Sequence, residues 1–245
     1  MPIHHRSLMW YNLLISPDTI DTVTLPNQTE EFLALSPKGL LPALRLNDFS
    51  PPRGLNESLV ILDYLNDLSA TKGNKKTLLP PVEFTWSRAL LRLQADLISR
   101  TLVPTYFRYL QSQDPAIQEQ HRLEIIDGIE KLIRLFERAE QEREDEAPKF
   151  GLWEEEGLLS LPDILLAPWV FRARITLKHY RGFSFSPVFA SHPRFEGYVD
   201  RLMGHPAFKA TCSTDDVCLD SAASYAANRS PSQIAAAINR GREIP

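Results

Sequence analysis

A small α/β domain followed by an all-α domain is what the sequence predicts, and three observations carry that reading. N-terminal to residue 75, short β-like pieces alternate with helical ones: IDTVTL (20–25), TEEFLALS (29–36), PALRLND (42–48) and ESLVILDYLNDL (57–68). Such alternation marks a layered α/β unit. From residue 84 onward, apolar residues recur with a period of about 3.6, the signature of amphipathic helices. A polar, proline-ended stretch, SATKGNKKTLLPP (69–81), separates the two patterns. The expected limits are 1–72 for the α/β domain, 73–81 for a linker and 82–245 for the helical domain. A chain of this length can bury a core in each.

In the helical half, Leu90, Leu91, Leu93, Leu97, Ile98 and Leu102 form one apolar face of a helix expected over 84–113. Ile125, Ile126, Ile129, Leu132, Ile133, Leu135 and Phe136 do the same over 116–144, where ERAEQEREDEAP reads as a solvated end. With only QSQDPA between them, the two helices should pack antiparallel. A third helix announces its start in LLSLPDILLAPW (158–169). Ser160 is a good N-cap and Pro162 lies in the first turn. Asp163 sits three residues after the cap, where a carboxylate can reach the cap's N–H. Leu159 and Ile164 occupy the hydrophobic-staple positions. We read this motif as the start of a buried helix, with no chemistry of its own.

Composition excludes several functions. The chain is 43% hydrophobic and 24% charged, as in ordinary globular proteins. A net charge of -4, with Lys and Arg scattered, gives no basic stripe for a phosphate backbone, so nucleic acid is not an expected partner. No apolar run reaches the roughly 20 residues of a membrane span. Cys212 and Cys218, in ATCSTDDVC, make no disulfide framework, so a cytoplasmic setting is expected. They also lack metal-site spacing, so no metal is expected and they read as free surface or tail cysteines.

Taken together, SPKGLLPALRL (36–46) and LNESLVILDYL (55–65) resemble the glutathione-binding half of the glutathione S-transferase superfamily. Leu41-Pro42 matches its cis-proline motif and Glu57-Ser58 the acidic-serine pair opening the next helix. SLPDILLAPW matches the family's helix start, and HPRFEGYVDRLMGHPAFKAT (192–211) its last core helix. The resemblance covers nearly the whole chain, with its motifs in the family's order. It implies a thioredoxin-like first domain and glutathione as co-substrate. Leu41 would pair its backbone with the cysteinyl part of the tripeptide, as an added strand does. Ser58 and the first N–H groups of its helix would take a glutathione carboxylate, where the helix dipole favours an anion, and Glu57 the γ-glutamyl ammonium. Gln28 stands where omega-like members carry a lysine that meets the glycine carboxylate. A plain reading also exists, in which Pro42 ends a loop and Asn-Glu-Ser caps a helix.

In omega-like and related cysteine-type members, the first strand leads to Cys-Pro, a few residues and an Arg that opens the first helix. Pro2 and Arg6 fit that Pro and Arg, which puts Met1 at the cysteine and the family's first strand ahead of it, so the expectation is either that the sequence starts late or that the protein has no cysteine nucleophile. A thioether neither forms mixed disulfides nor donates to the glutathione sulfur. His4 and His5, near the start of the helix, are candidate substitutes, since a histidine charge is available near neutral pH. The alternative is that both are ordinary residues near the terminus. The resemblance places the electrophile against the first long helix, with Tyr106, Arg108 and Arg172 as candidate pocket residues. Aromatic walls suit a flat hydrophobic substrate such as an aromatic polyketide. NDFSPPRGLNES and the Ala/Ser-rich tail, expected as a capping helix or a loose end, resemble fungal glutathione S-transferase-like proteins of polyketide biosynthetic clusters. A homodimer is a further expectation from the family. The readings are a transferase acting in secondary metabolism, a non-catalytic glutathione-binding relative, and a glutathione-dependent lyase or isomerase.

Overall fold

The computed structural model describes residues 29–71 and 77–244. The chain divides into two compact units, the first ending at Leu78 and the second beginning at Leu79. The piece expected as a strand at 20–25 lies outside the described residues.

In the first unit, helix α1 (Glu30–Leu35) is capped by Thr29, whose hydroxyl accepts the Phe32 N–H, and it buries Phe32. Strands β1 (Ala43–Leu46) and β2 (Arg53–Asn56) pair antiparallel, Ala43 opposite Asn56 and Leu46 opposite Arg53. RGLN carries no strand pattern of its own, so β2 owes its form to the ladder that β1 offers. Gly54 lets it pass close to α1, since a Cβ there would lie 3.0 Å from the Leu35 backbone. Helix α2 (Ser58–Thr71) buries Ile61, Leu62 and Leu65. Its Asn66 side chain accepts the Leu78 N–H at 2.8 Å and ties down the end of the unit.

The second unit is helical. Helix α3 (Thr85–Leu97) runs through a π-helical turn (Ile98–Leu102) into α4 (Val103–Gln111), where the sequence predicts one regular helix. Pro104 explains the interruption: its ring would strike the Arg100 carbonyl of a regular helix, and the wider turn, in which Val103 N–H reaches back to Ile98, relieves it. Helix α5 (Pro115–Gln141) is capped by Asp114, which accepts the N–H groups of Ala116 and Ile117, and it packs along α3 and α4. The approach is close at Gly128, where a Cβ would lie 2.7 Å from the Leu102 side chain.

Helix α6 (Leu161–Arg172) is buried along nearly its whole length and continues as a second π-helical turn (Ala173–Leu177) into α7 (Lys178–Arg181). Helices α8 (Ser186–Ser191), α9 (Pro193–Gly204) and α10 (Pro206–Lys209) follow. The capping box at the start of α6 is formed, and Asp163 does more than close it. Its Oδ2 accepts Ser160 N–H (2.8 Å), the Ser160 hydroxyl (2.7 Å) and Leu152 N–H (3.1 Å), and its Oδ1 accepts the Tyr198 hydroxyl of α9 (2.9 Å). Burial pushes the Asp163 carboxyl above the ordinary aspartate range, while these donors pull it down.

The tail is helical: α11 (Asp215–Ala226) and α12 (Gln233–Asn239). Side chains from earlier helices grip their carbonyls. Arg181 donates to Tyr109 O (3.2 Å), Leu110 O and Ala226 O (2.6 Å), Gln113 donates to Ala226 O (2.8 Å), and Gln111 to Ala235 O (3.2 Å). Cys218 is therefore not a surface cysteine; α11 buries it, with Sγ 3.1 Å from the Ser213 hydroxyl. The Cys212 thiol is pushed up to about 11 by burial and by Cys218, which leaves it mostly protonated and a poor nucleophile.

Two outcomes follow from these contacts. Asp163→Ala strips the partners from four buried donors and should cost about 3 kcal/mol or more, read by urea unfolding; a change under about 0.5 kcal/mol would contradict this assignment. His205 Nδ1 accepts the Ala207 N–H at the start of α10, and burial lowers its pKa from the usual 6.5. The folded state therefore binds the proton less well than the unfolded chain. Stability should be full above about pH 6.5 and fall as pH drops through the lowered value, and His205→Asn, which still caps, should flatten that part of the profile.

Candidate functional site

The candidate residues of the first unit lie on one loop and at one helix start. Ser36, buried at the end of α1, shapes the loop: its hydroxyl donates to Leu40 O (2.7 Å) and accepts Leu40 N–H (3.1 Å). Gly39 sits at φ 67° and donates to Ser36 O, a backbone that favours glycine. The loop delivers Leu41 and Pro42 just before β1, joined by a cis peptide bond. Leu41 lies two residues before the β1–β2 ladder, and its N–H and carbonyl take no hydrogen bond among the described residues.

Glu57 and Ser58 follow β2 directly. Glu57 is held at φ 67°, a costly conformation for a residue with a Cβ, and its carbonyl accepts the Ile61 N–H (2.9 Å). It thus acts as the cap residue of α2, and the N–H groups of Ser58, Leu59 and Val60 have no intrahelical acceptor. The Glu57 carboxylate meets Lys38 Nζ at 3.1 Å, both side chains being well exposed. Leu41-Pro42 and Glu57-Ser58 therefore lie on the two segments flanking the hairpin. Lys38 was not among the residues singled out from sequence; its signal was a lone basic residue in the loop between the two motifs. His4, His5 and Gln28 lie outside the described residues.

In the second unit, the structure brings Tyr106 and Arg172 together and sets Arg108 apart. Tyr106 is 4% exposed and Arg172 5%. The Thr176 hydroxyl gives its proton to Arg172 O (2.8 Å), so the Tyr106 hydroxyl is the donor in its 2.6 Å bond to Thr176. Burial pushes the Tyr106 phenol up to about 12, opposed by the Thr176 bond and by the nearby Arg172 charge. The Tyr106 and Phe107 rings pack edge-on against Trp169 at 5.1 and 5.3 Å, and Tyr225 of α11 lies 5.4 Å from Phe107. Arg108, two residues from Tyr106 on a helix, faces elsewhere: it donates to Thr105 Oγ1 and lies 3.7 Å from Glu124 of α5.

A separate polar cleft of about 490 Å³ opens beside Trp153. Four of the charges that line it are used internally: Arg194 pairs with Glu140, Glu154 with Arg143, and Arg201 donates to the carbonyls of Leu152 and Trp153. Among the described residues no His, Cys, Asp and Glu group could hold a metal ion, and no helix is long and apolar enough to cross a membrane.

The chain is similar to known proteins. Residues 1–68 match the family model for the glutathione S-transferase N-terminal domain. Glutathione transferase Omega 3C from Trametes versicolor superposes with a TM-score of 0.64 at 25% identity, covering 87% of this chain and 86% of that one. Rice GST1 (OsGSTU1), solved in complex with glutathione, gives 0.67 at 21% identity over 92% and 94%. The trimeric glutathione transferase TDR1 of Leishmania gives 0.68 at 16% identity, over 92% of this chain but 47% of that one. A search of curated proteins finds no significant match. The family match over residues 1–68 and the fold shared with these enzymes support membership of the glutathione S-transferase superfamily.

Proposed function

We propose that this protein is a glutathione transferase that binds the tripeptide on the loop and helix start of its first unit and transfers the thiol to a hydrophobic aromatic electrophile. The observation that supports it most is the Leu41 backbone, without a partner among the described residues, on a segment beside Glu57-Ser58 at the start of α2. In this reading Leu41 N–H and C=O pair with the cysteinyl residue like an added strand. Ser58 and the first N–H groups of α2 receive a carboxylate, and Glu57 receives the ammonium.

The chemistry is nucleophilic addition or substitution. The glutathione thiol loses its proton to a base or to water and the thiolate forms a C–S bond to the electrophile; in an addition the displaced π pair of the electrophile takes up a proton from solvent, and in a substitution the leaving group departs with the bonding pair. Candidates for the group that favours the thiolate are His4 and His5. We assign the electrophile, of the aromatic polyketide kind, to the margin of the ring cluster around Tyr106 and Trp169, where Arg172 supplies a cation. Arg108 is held as a pocket residue only as an expectation from sequence.

Immobilised glutathione should retain the protein, and free glutathione should release it. Glu57→Ala should weaken glutathione binding at least about tenfold, as loss of a charge-assisted hydrogen bond does; no retention of the wild-type chain under native conditions would overturn the reading. Conjugation of 1-chloro-2,4-dinitrobenzene, followed by absorbance, should proceed with the wild-type chain and slow in Glu57→Ala. Retention without any turnover would favour the non-catalytic alternative.

A further inference from the structure

We propose that the polar cleft beside Trp153 binds a small hydrophilic oxyanion, a phosphate or carboxylate that also carries hydroxyl groups, with Arg201 and Lys149 taking its charge and Glu155 its hydroxyls. The cleft, about 490 Å³, has the size of a small-molecule site. None of its lining residues belongs to the ring cluster around Tyr106. Its charges do not all cancel within the protein. Glu140 is neutralised by Arg194 and Glu154 by Arg143. Lys149 and Glu155 are exposed, and their side chains have no hydrogen bond or ion pair among the described residues. Arg201 is bound only to neutral groups: Nε donates to Leu152 O at 2.7 Å and Nη2 to Trp153 O at 3.0 Å. Those bonds fix the guanidinium and leave Nη1 unspent, so an anion meets a charged donor already in place.

Gly197 is an independent sign of an approaching ligand. It lies inside α9, where glycine is less favourable than alanine. Packing does not require it: its backbone is not left-handed, and a Cβ would meet only Arg201 Nη1, at 3.6 Å. The bare Cα keeps the way to that unspent nitrogen clear. The opposite wall is fixed as well. Leu158 N–H donates to Lys149 O (2.9 Å), Gly151 N–H to Leu158 O (2.7 Å), and Leu152 N–H to Asp163. An apolar molecule would strip water from Lys149, Arg201 and Glu155 and replace none of it. A cation would meet Lys149 and Arg201. A single oxyanion whose hydroxyls donate to Glu155 leaves all three matched.

Calorimetric titration of the full chain with glucose 6-phosphate, glucuronate and glucose tests this in the wild type, Lys149→Gln and Gly197→Glu. Gly197→Glu sets the protein's own carboxylate at the i,i+4 spacing from Arg201; a circular dichroism melt shows that it folds, and Lys149→Gln, at an exposed side chain, carries the test if it does not. The wild type should bind at least one of the two charged sugars, more weakly as salt rises, and glucose at least about tenfold more weakly. Lys149→Gln should lose about tenfold in affinity and Gly197→Glu all measurable binding. Preference for glucose 6-phosphate or for glucuronate identifies phosphate or carboxylate as the group recognised. No binding of either by the wild type, glucose bound as tightly as they are, or unchanged affinity in either folded variant overturns the proposal.

Discussion

One buried carboxylate organises the helical unit. Asp163 is 1% exposed and accepts hydrogen bonds from three separate stretches of chain: the cap at Ser160, the turn at Leu152 and the middle of α9 at Tyr198. A carboxylate without donors at such a depth would be prohibitively costly, so its partners must be in place together. That requirement couples the start of the core helix to α9. Tyr198 extends the coupling, since its ring lies 5.0 Å from Phe136 of α5 and 5.8 Å from Phe195. Once α6 is seeded in this position, its apolar length meets α3 on one side and α9 on another.

The rest of the unit is held by cations and amides that reach backbone carbonyls. Arg181 takes carbonyls from the end of α4 and the end of α11, and Gln111 and Gln113 bind the tail helices from the same place. These are the carbonyls that helix ends leave without partners. A weakly apolar, Ala-rich tail thereby gains a defined position, and with it Cys218 and Tyr225 become core residues.

The first unit shows a different logic, in which backbone shape places charge. Gly39 and Glu57 both adopt left-handed conformations, one at no steric cost and one at some cost. Between them they set an ammonium and a carboxylate side by side on the surface, next to a strand end whose backbone still has hydrogen bonds to give.

Much of this was legible in the sequence, and the reason differs from element to element. Ser160, Pro162 and Asp163 dictate a helix start by local chemistry alone, so the capping box follows from four consecutive residues. The long helices follow from period, and the glutathione-type motifs from their residue types and order. Strand β2 was not legible, because Arg-Gly-Leu-Asn becomes a strand only when β1 supplies the ladder. Neither was the π-helical turn ahead of Pro104, whose width is set by a carbonyl one turn back, nor the burial of Cys218, which depends on carbonyl contacts from residues far away in sequence. The same limit applies to the candidate residues. Leu41, Pro42, Glu57 and Ser58 are named by short motifs, whereas the facing of Tyr106 and Arg172, the turning away of Arg108, and the meeting of Lys38 with Glu57 depend on how distant segments fold together. Local propensity and motif order determined the fold class and the segments that carry the motifs; long-range packing and pairing decided which charges and rings meet, because those contacts join residues that the chain itself keeps apart.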